Sequence, residues 1–348
     1  MSNKPSFLAL PALVLFLLPD SGPAQDKGEA DALRLIEKAG GVVARDPKAK
    51  GNPVVGINLG GKEIKDAILK EVAVLSALQT LDLGFTAVTD AGLKDIMRLS
   101  QLKNLDLGGT LITNAGLKDL TGLTQLQSLN LSFTKVNEAG IKELAALPGL
   151  EKLGLNGNGL GDSSFKHVAA LKSLKALGFG YNTSVSGTGL KDLSGLAALE
   201  EIDLSGTNIG NETLKDLSDF KSLQRLNLAS TRLNDAGAKD LGKLKTLKEL
   251  QLTLTTLKDA GLKDLADLSE LQSLGLGHTD ITDAGMKTIA GFKQLQKLYL
   301  GNTRLTDNGL KTLAELKQLQ ELIVINTSVT DAGVAAFTKA LPKCKVLR

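Results

Sequence analysis

A chain of 348 residues that is 42% hydrophobic can bury a sizeable core, yet it has no Trp and only 3% aromatic residues, so the core must be almost wholly leucine. With 41 basic and 38 acidic side chains the net charge is +3 and the charges are scattered, which leaves no basic patch or stripe of the kind nucleic acid requires. One cysteine, Cys344, excludes an internal disulfide framework and a thiolate metal cluster, and two histidines, His167 and His278, leave little for a zinc site or a catalytic base.

The N-terminus reads as an export signal. Lys4 gives a basic start, Phe7 to Leu18 is an apolar run broken by Pro11, and Gly22 and Ala24 suit a cleavage after Ala24. Such a run makes roughly 18 Å of helix, short of the ~30 Å hydrocarbon core. No other segment could span a membrane, so residues 1–24 are expected to leave an exported chain with no stable membrane insertion, periplasmic, cell-surface or secreted. Residues 25–53 then read as an N-terminal cap. Asp31 to Lys38 has helical spacing, Gly40-Gly41 stops it, Val42-Val43 could start a strand, and DPKAKGNP at 46–53 is a turn-rich connection.

From Val54 the chain repeats every 24 residues, with one 25-residue unit. Units begin at Val54, Leu78, Leu102, Leu126, Leu150, Leu174, Leu199, Leu223, Leu247, Leu271, Leu295 and Leu319. Each has an apolar residue at its first, fourth and sixth positions, as in Leu102, Leu105 and Leu107, and this ends in the alternation of a short strand. A small polar turn follows, usually with Thr at the ninth position, then an apolar residue and a segment such as TDAG. The remainder, with Leu117, Leu120 and Leu123 at three-residue spacing, fits a short helix. Thr89-Asp90, Thr282-Asp283, Thr306-Asp307 and Thr330-Asp331 stand where an N-cap belongs, and the Asp suits the positive end of the helix dipole. Gly at the fifteenth position (Gly92, Gly116, Gly285, Gly309) disfavours helix, so it implies close backbone approach.

The pattern LxxLxLxxTxITDAGLKxLxxL resembles the leucine-rich repeat, in a helix-containing form similar to repeats of secreted bacterial leucine-rich repeat proteins and of F-box-type proteins. The resemblance covers Val54 to about Leu341. It implies an α/β leucine-rich-repeat solenoid with a parallel inner sheet and outer helices, over residues 54–340, and use in protein binding. Stacked strands lie ~4.8 Å apart and helices ~8–10 Å, so a horseshoe or arc with the strands inside is expected. Residues 341–348 read as a capping strand, with Leu341, Cys344 and Val346 in the first, fourth and sixth apolar slots and Cys344 a buried, inert thiol.

The third, fifth, seventh and eighth positions should face the inner, concave surface. They hold six acids (Asp82, Asp106, Glu201, Asp203, Glu249, Glu321) against three bases (Lys152, Arg225, Lys297). The row Asn58, Asp82, Asp106, Asn130 places like charges side by side. It offers only part of the six to eight oxygens that calcium needs, so solvated carboxylates are the plainer reading. The aromatic residues Phe85, Phe133, Tyr181 and Tyr299, joined by Leu254 and His278, could anchor an interface, or could be drift at tolerant positions. A third candidate is the irregular stretch 156–189, where NGNGLGDSSF replaces the usual turn, one residue is added near Asn182-Thr183-Ser184, and Asn158 and Asn182 replace Thr. Gly157, Gly159 and Gly161 lack the GxGxxG spacing, and no GK[ST] follows. Lys-Asp pairs such as Lys118-Asp119 read as a solvated outer face.

The expectation is a non-catalytic interaction module without cofactor or metal. It would hold a protein or cell-surface ligand on the concave face through Phe85, Phe133, Tyr181, His278, Tyr299, Asp82, Asp106 and Asp203. A passive envelope scaffold is the alternative. An F-box-like adaptor would need an N-terminal docking motif that residues 25–53 are too short to supply.

Overall fold

The computed structural model describes residues 27–348, so the export-signal reading of residues 1–24 lies outside the described residues. The chain forms two compact units, one ending at Gly178 and one running from Phe179 to Arg348. No helix among the described residues is long and apolar enough to cross a membrane.

In the first unit, helix Lys27–Lys38 starts four residues before the expected Asp31 and buries Ala32, Leu33 and Ile36. Strand Val42–Arg45 pairs antiparallel with Val54–Asn58. Parallel strands Thr80–Asp82, Asn104–Asp106, Ser128–Asn130, Lys152–Gly154 and Ala176–Gly178 follow in sequence order. The second unit repeats this order with Glu201–Asp203, Arg225–Asn227, Glu249–Gln251, Ser273–Gly275, Lys297–Tyr299, Glu321–Ile323 and Lys345–Leu347, all parallel.

Register explains the leucines. Leu105 stands beside Leu129, and Leu250 beside Leu274, so like position meets like position in neighbouring strands. The first, fourth and sixth residues of every unit are buried. One coil cannot cover its own apolar side, and stacking removes that side from water at about 25 cal/mol per Å². Threonine at the ninth position closes the turn below. The hydroxyls of Thr86 and Thr303 each donate to the carbonyl three residues back at 2.7 Å. Asn158 does related work by reaching back a whole repeat, its Nδ2 donating to Leu131 O at 2.9 Å.

The opposite side is held by a clasp between successive coils. Thr306 caps helix Asp307–Leu313, its hydroxyl accepting from the Asn308 N–H at 3.2 Å. Asp283, in the preceding coil, reaches forward to that same threonine. Its carboxylate accepts from the Thr306 N–H at 2.8 Å and from the hydroxyl at 2.5 Å. Asp66, Asp90, Asp259 and Asp307 make the same pair of bonds to Thr89, Thr113, Thr282 and Thr330. The fifteenth-position glycine follows from this clasp. A Cβ on Gly92 would lie 2.6 Å from Asp66 Oδ1 and 2.8 Å from Leu69 Cδ1.

The N-cap residue is not the same in every coil. Gly161 and Gly210 stand in the N-cap place and offer no side-chain acceptor, and 3-10 turns Asp162–Ser164 and Asn211–Asp219 follow. Leu190–Gly195 is also 3-10, so the short α-helix expected of each repeat is not uniform. The sizes exchange across one junction: Thr213 stands in the glycine place, and Gly187 stands where the clasping acid would be, against Thr213 Oγ1. Glu138, longer than Asp, turns to the Ser163 hydroxyl, Lys166 Nζ and His167 Nε2 instead.

The C-terminal register corrects one expectation. Val346 pairs with Leu322, the fourth position, rather than filling the sixth. The Cys344 N–H donates to Leu341 O at 3.0 Å, as Leu319 does to Leu316, so Cys344 takes the first slot. The residue is 5% exposed, and its thiol is pushed up to about 11, first by burial and then by the Glu321 carboxylate.

Candidate interaction surface at the strand ends

The eighth residue of every unit adopts the left-handed conformation. Gly61, Gly109, Gly157 and Gly206 have φ of 65–68°, and Phe85, Phe133, Tyr181, Ser230, Leu254, His278, Asn302 and Asn326 have φ of 54–59°. The cause is the ladder. Phe85 turns its N–H onto the next coil's seventh carbonyl, Gly108 O, at 2.7 Å, and Gly61, Gly109, Phe133, Tyr181, Gly206, Ser230, Leu254, His278 and Asn302 do the same. Glycine meets this demand without strain, whereas a bulky side chain there is an outlier that costs about 1–2 kcal/mol.

Read down the stack, the column begins Gly61, Phe85, Gly109, Phe133, Gly157, and Tyr181 precedes Gly206 in the second unit. Each ring lies over the glycine of the next coil. A Cβ on Gly109 would sit 2.6 Å from Phe85 Cδ1, and one on Gly206 would sit 2.9 Å from Tyr181 Cδ1. Phe133 bears on Gly157 in the same way. The rings nevertheless remain open to solvent: Phe85 is 73% exposed, Phe133 48%, Tyr181 54% and Leu254 54%. The alternation was readable in the sequence by listing the column with its glycines; listing only its aromatic residues hides it.

Further along, the column turns polar. Asn302 Nδ2 lies 3.0 Å from His278 Nε2, and Asn326 Nδ2 donates to Asn302 Oδ1 at 3.3 Å. His278 is exposed and belongs to this ladder. Tyr299 does not join the exposed aromatics. It sits in the fifth column, half-buried beside Ile323, with its phenol raised above the ordinary value by burial and then by Glu321 and Glu249.

The fifth-column acids have structural work. Asp82 Oδ1 accepts from the Gly84 N–H at 2.9 Å, and Asp106 Oδ1 from the Gly108 N–H at 2.8 Å and Asn130 Nδ2 at 3.0 Å. Asn58, Asn130, Asp203 and Asn227 make the same turn bond two residues on. Asp82, Asp106, Asn130 and Asp203 also lean over the seventh-position glycine of the coil before. A Cβ on Gly60 would meet Asp82 Oδ1 at 2.8 Å. Asp203 corrects the expectation of an exposed ligand contact: it is 6% exposed, and burial, followed by the neighbouring Glu201, raises its carboxyl above the ordinary 3.8. Asp82 and Asp106 stay half-buried. Burial raises Asp106, and the Asp82 charge adds to this. Among the described residues no group of His, Cys, Asp and Glu is arranged to hold a metal ion.

The leucine-rich repeat model matches residues 75–97, 221–242, 243–266 and 269–290. No curated protein matches the sequence. Among solved structures, an internalin from Listeria monocytogenes is similar at a TM-score of 0.63 and 20% identity, over 92% of this chain and 94% of that one. A leucine-rich repeat protein of Leptospira interrogans is similar at 0.50 and 22%, over 91% and 97%. The Arabidopsis receptor kinase HAESA, in complex with the peptide hormone IDA and the co-receptor SERK1, is similar at 0.56 and 16%, over 93% of this chain and 65% of that one. At these identities the likeness is one of fold. The stacked coils in register, with the repeat model matched in both units, carry leucine-rich repeats and the fold that goes with them.

Proposed function

We propose that this protein is an exported, non-catalytic interaction module that holds a protein partner on the open face at its strand ends. The observation that carries this reading is the eighth column, where Phe85 and Phe133 in the first unit, and Tyr181 and Leu254 in the second, are exposed in a conformation that favours glycine. Folding gains little from a strained side chain left in water, whereas a partner that covers it recovers the burial energy. Aromatic anchors of this kind dominate protein interfaces. HAESA, which shares the fold, holds a peptide hormone in its solved complex. Residues 25–53 and 341–348 serve in this reading as end caps that keep the stack from exposing its leucines.

The test is affinity capture from the native envelope fraction, comparing the mature protein with a Phe85→Gly, Phe133→Gly, Leu254→Gly variant. Glycine suits the turn at each site, so the fold should survive. A specific partner captured by the natural protein and lost by the variant is the expected result. Self-association alone, or equal capture by both, would leave a passive scaffold as the better reading.

A further inference from the structure

Resting on the docking role proposed above, we infer that the strand-end face of the first unit takes a proline-rich, basic segment of a partner protein in polyproline II conformation. Phe85 and Phe133 lie two strands apart, and two strand spacings make about 9.6 Å along the stack. A polyproline II helix has three residues per turn and a 3.1 Å rise, so every third residue recurs after about 9.3 Å. A proline on one ring therefore places the proline three residues later near the other.

The surroundings suit such a chain. Each ring rests on the glycine of the next coil and is open to solvent beyond it. Between the rings the floor is polar, because Asp106 lies over Gly84 and Asn130 over Gly108. In the units starting at Val54, Leu78, Leu102 and Leu126, the third, fifth, seventh and eighth positions include Asp82 and Asp106 and no lysine or arginine. The two carboxylates are near enough for Asp82 to raise Asp106, so a cationic residue between the rings would relieve their repulsion. Thr80 and Asn104, joined at 3.2 Å on the same face, add polar groups for peptide carbonyls. Other peptide modes fit less well. Strand addition needs an open sheet edge, and the backbone N–H groups here already serve the ladder. A helical ligand's i and i+7 side chains recur after about 10.5 Å, a poorer match to the rings.

Fluorescence anisotropy of the full described chain with a labelled peptide of four Arg-Pro-Pro units tests this. A peptide with Gly-Ser in place of each Pro-Pro and a β-1,4-linked hexasaccharide serve as comparisons. The Arg-Pro-Pro peptide should bind, and Phe85→Gly with Phe133→Gly should weaken it about tenfold or more. Phe85→Tyr with Phe133→Tyr should restore binding. Asp82→Asn with Asp106→Asn keeps the turn acceptors, and should weaken binding a few-fold and flatten its salt dependence. Absence of peptide binding, equal binding of the Gly-Ser peptide, indifference to the Phe85 and Phe133 changes, or binding of the hexasaccharide alone would overturn the inference. Phenylalanine-dependent capture of a partner from the envelope fraction, without peptide binding, would overturn it while leaving the docking role standing.

Discussion

Asp307 and Asp203 lie in the same unit and are held in opposite ways. On the helix side, Asp307 is half-buried and accepts from the Thr330 N–H and hydroxyl, and these bonds, with a smaller contribution from Arg348, hold its carboxyl below the ordinary 3.8. On the strand side, Asp203 is buried beside Glu201, and loss of water outweighs its bond from Ser205. The helix side uses its acids as fasteners and meets their charge with donors. The strand side packs its acids into turns and tolerates the charge. A surface where charge is tolerated rather than satisfied is the better place to receive a ligand.

The largest expected effect comes from blocking the fastener. A Cβ on Gly285 would lie 2.5 Å from Asp259 Oδ1 and 2.8 Å from Leu262 Cδ1. Gly285→Val should therefore cost about 3 kcal/mol through overpacking, read from the urea midpoint. Removing the clasping acid is milder. Asp283→Ala deletes two bonds to Thr306 at a half-buried junction and should cost about 1–2 kcal/mol by the same measurement. If the two changes cost nothing, the clasp is not what holds the helix side.

The two aspartates should differ in the sign of their pH effect. Asp307 has a lowered carboxyl in the folded protein, so its contribution is present above the unfolded value and is lost as pH falls through the folded one. Asp307→Asn keeps an acceptor for Thr330 and should flatten the acid side of the stability profile. Asp203 is raised, so the folded state is favoured below the unfolded value, and that advantage is lost as pH rises through the folded one. Asp203→Asn should then raise Tm at pH 7 and change little at pH 2. Asn227 already makes the equivalent turn bond, its Oδ1 accepting from Ala229 at 3.0 Å. The smallest effect is expected at the strand ends. Phe85→Gly gives up contact with Gly109 but relieves a left-handed residue, so stability should shift by no more than about 1 kcal/mol in thermal melts.

Much of the fold was legible because a stack repeats its demands. Leucine at the first, fourth and sixth positions, threonine at the turn and Thr-Asp at the helix start each answer a need that recurs every 24 residues. The surface was harder to read. Asp203 and Asp82 share a column and a turn bond, yet one is buried and the other half-buried. That difference depends on what neighbouring coils place above each residue. Tyr299 was grouped with Phe85 as an exposed aromatic, yet in its fifth column it is half-buried. Val346 was set two positions from its true partner because spacing alone cannot see the shortened turn before it.

By itself the sequence determined the coil, its stacking partner and its buried side, because hydrophobic periodicity and burial are properties of each repeat. Only the tertiary structure decided that the clasping acid points to the following coil, that the eighth residue is left-handed, and that a ring covers the next glycine. Those three arise between coils, where the ladder of one sets the backbone of another and one repeat's side chain occupies the space its neighbour leaves.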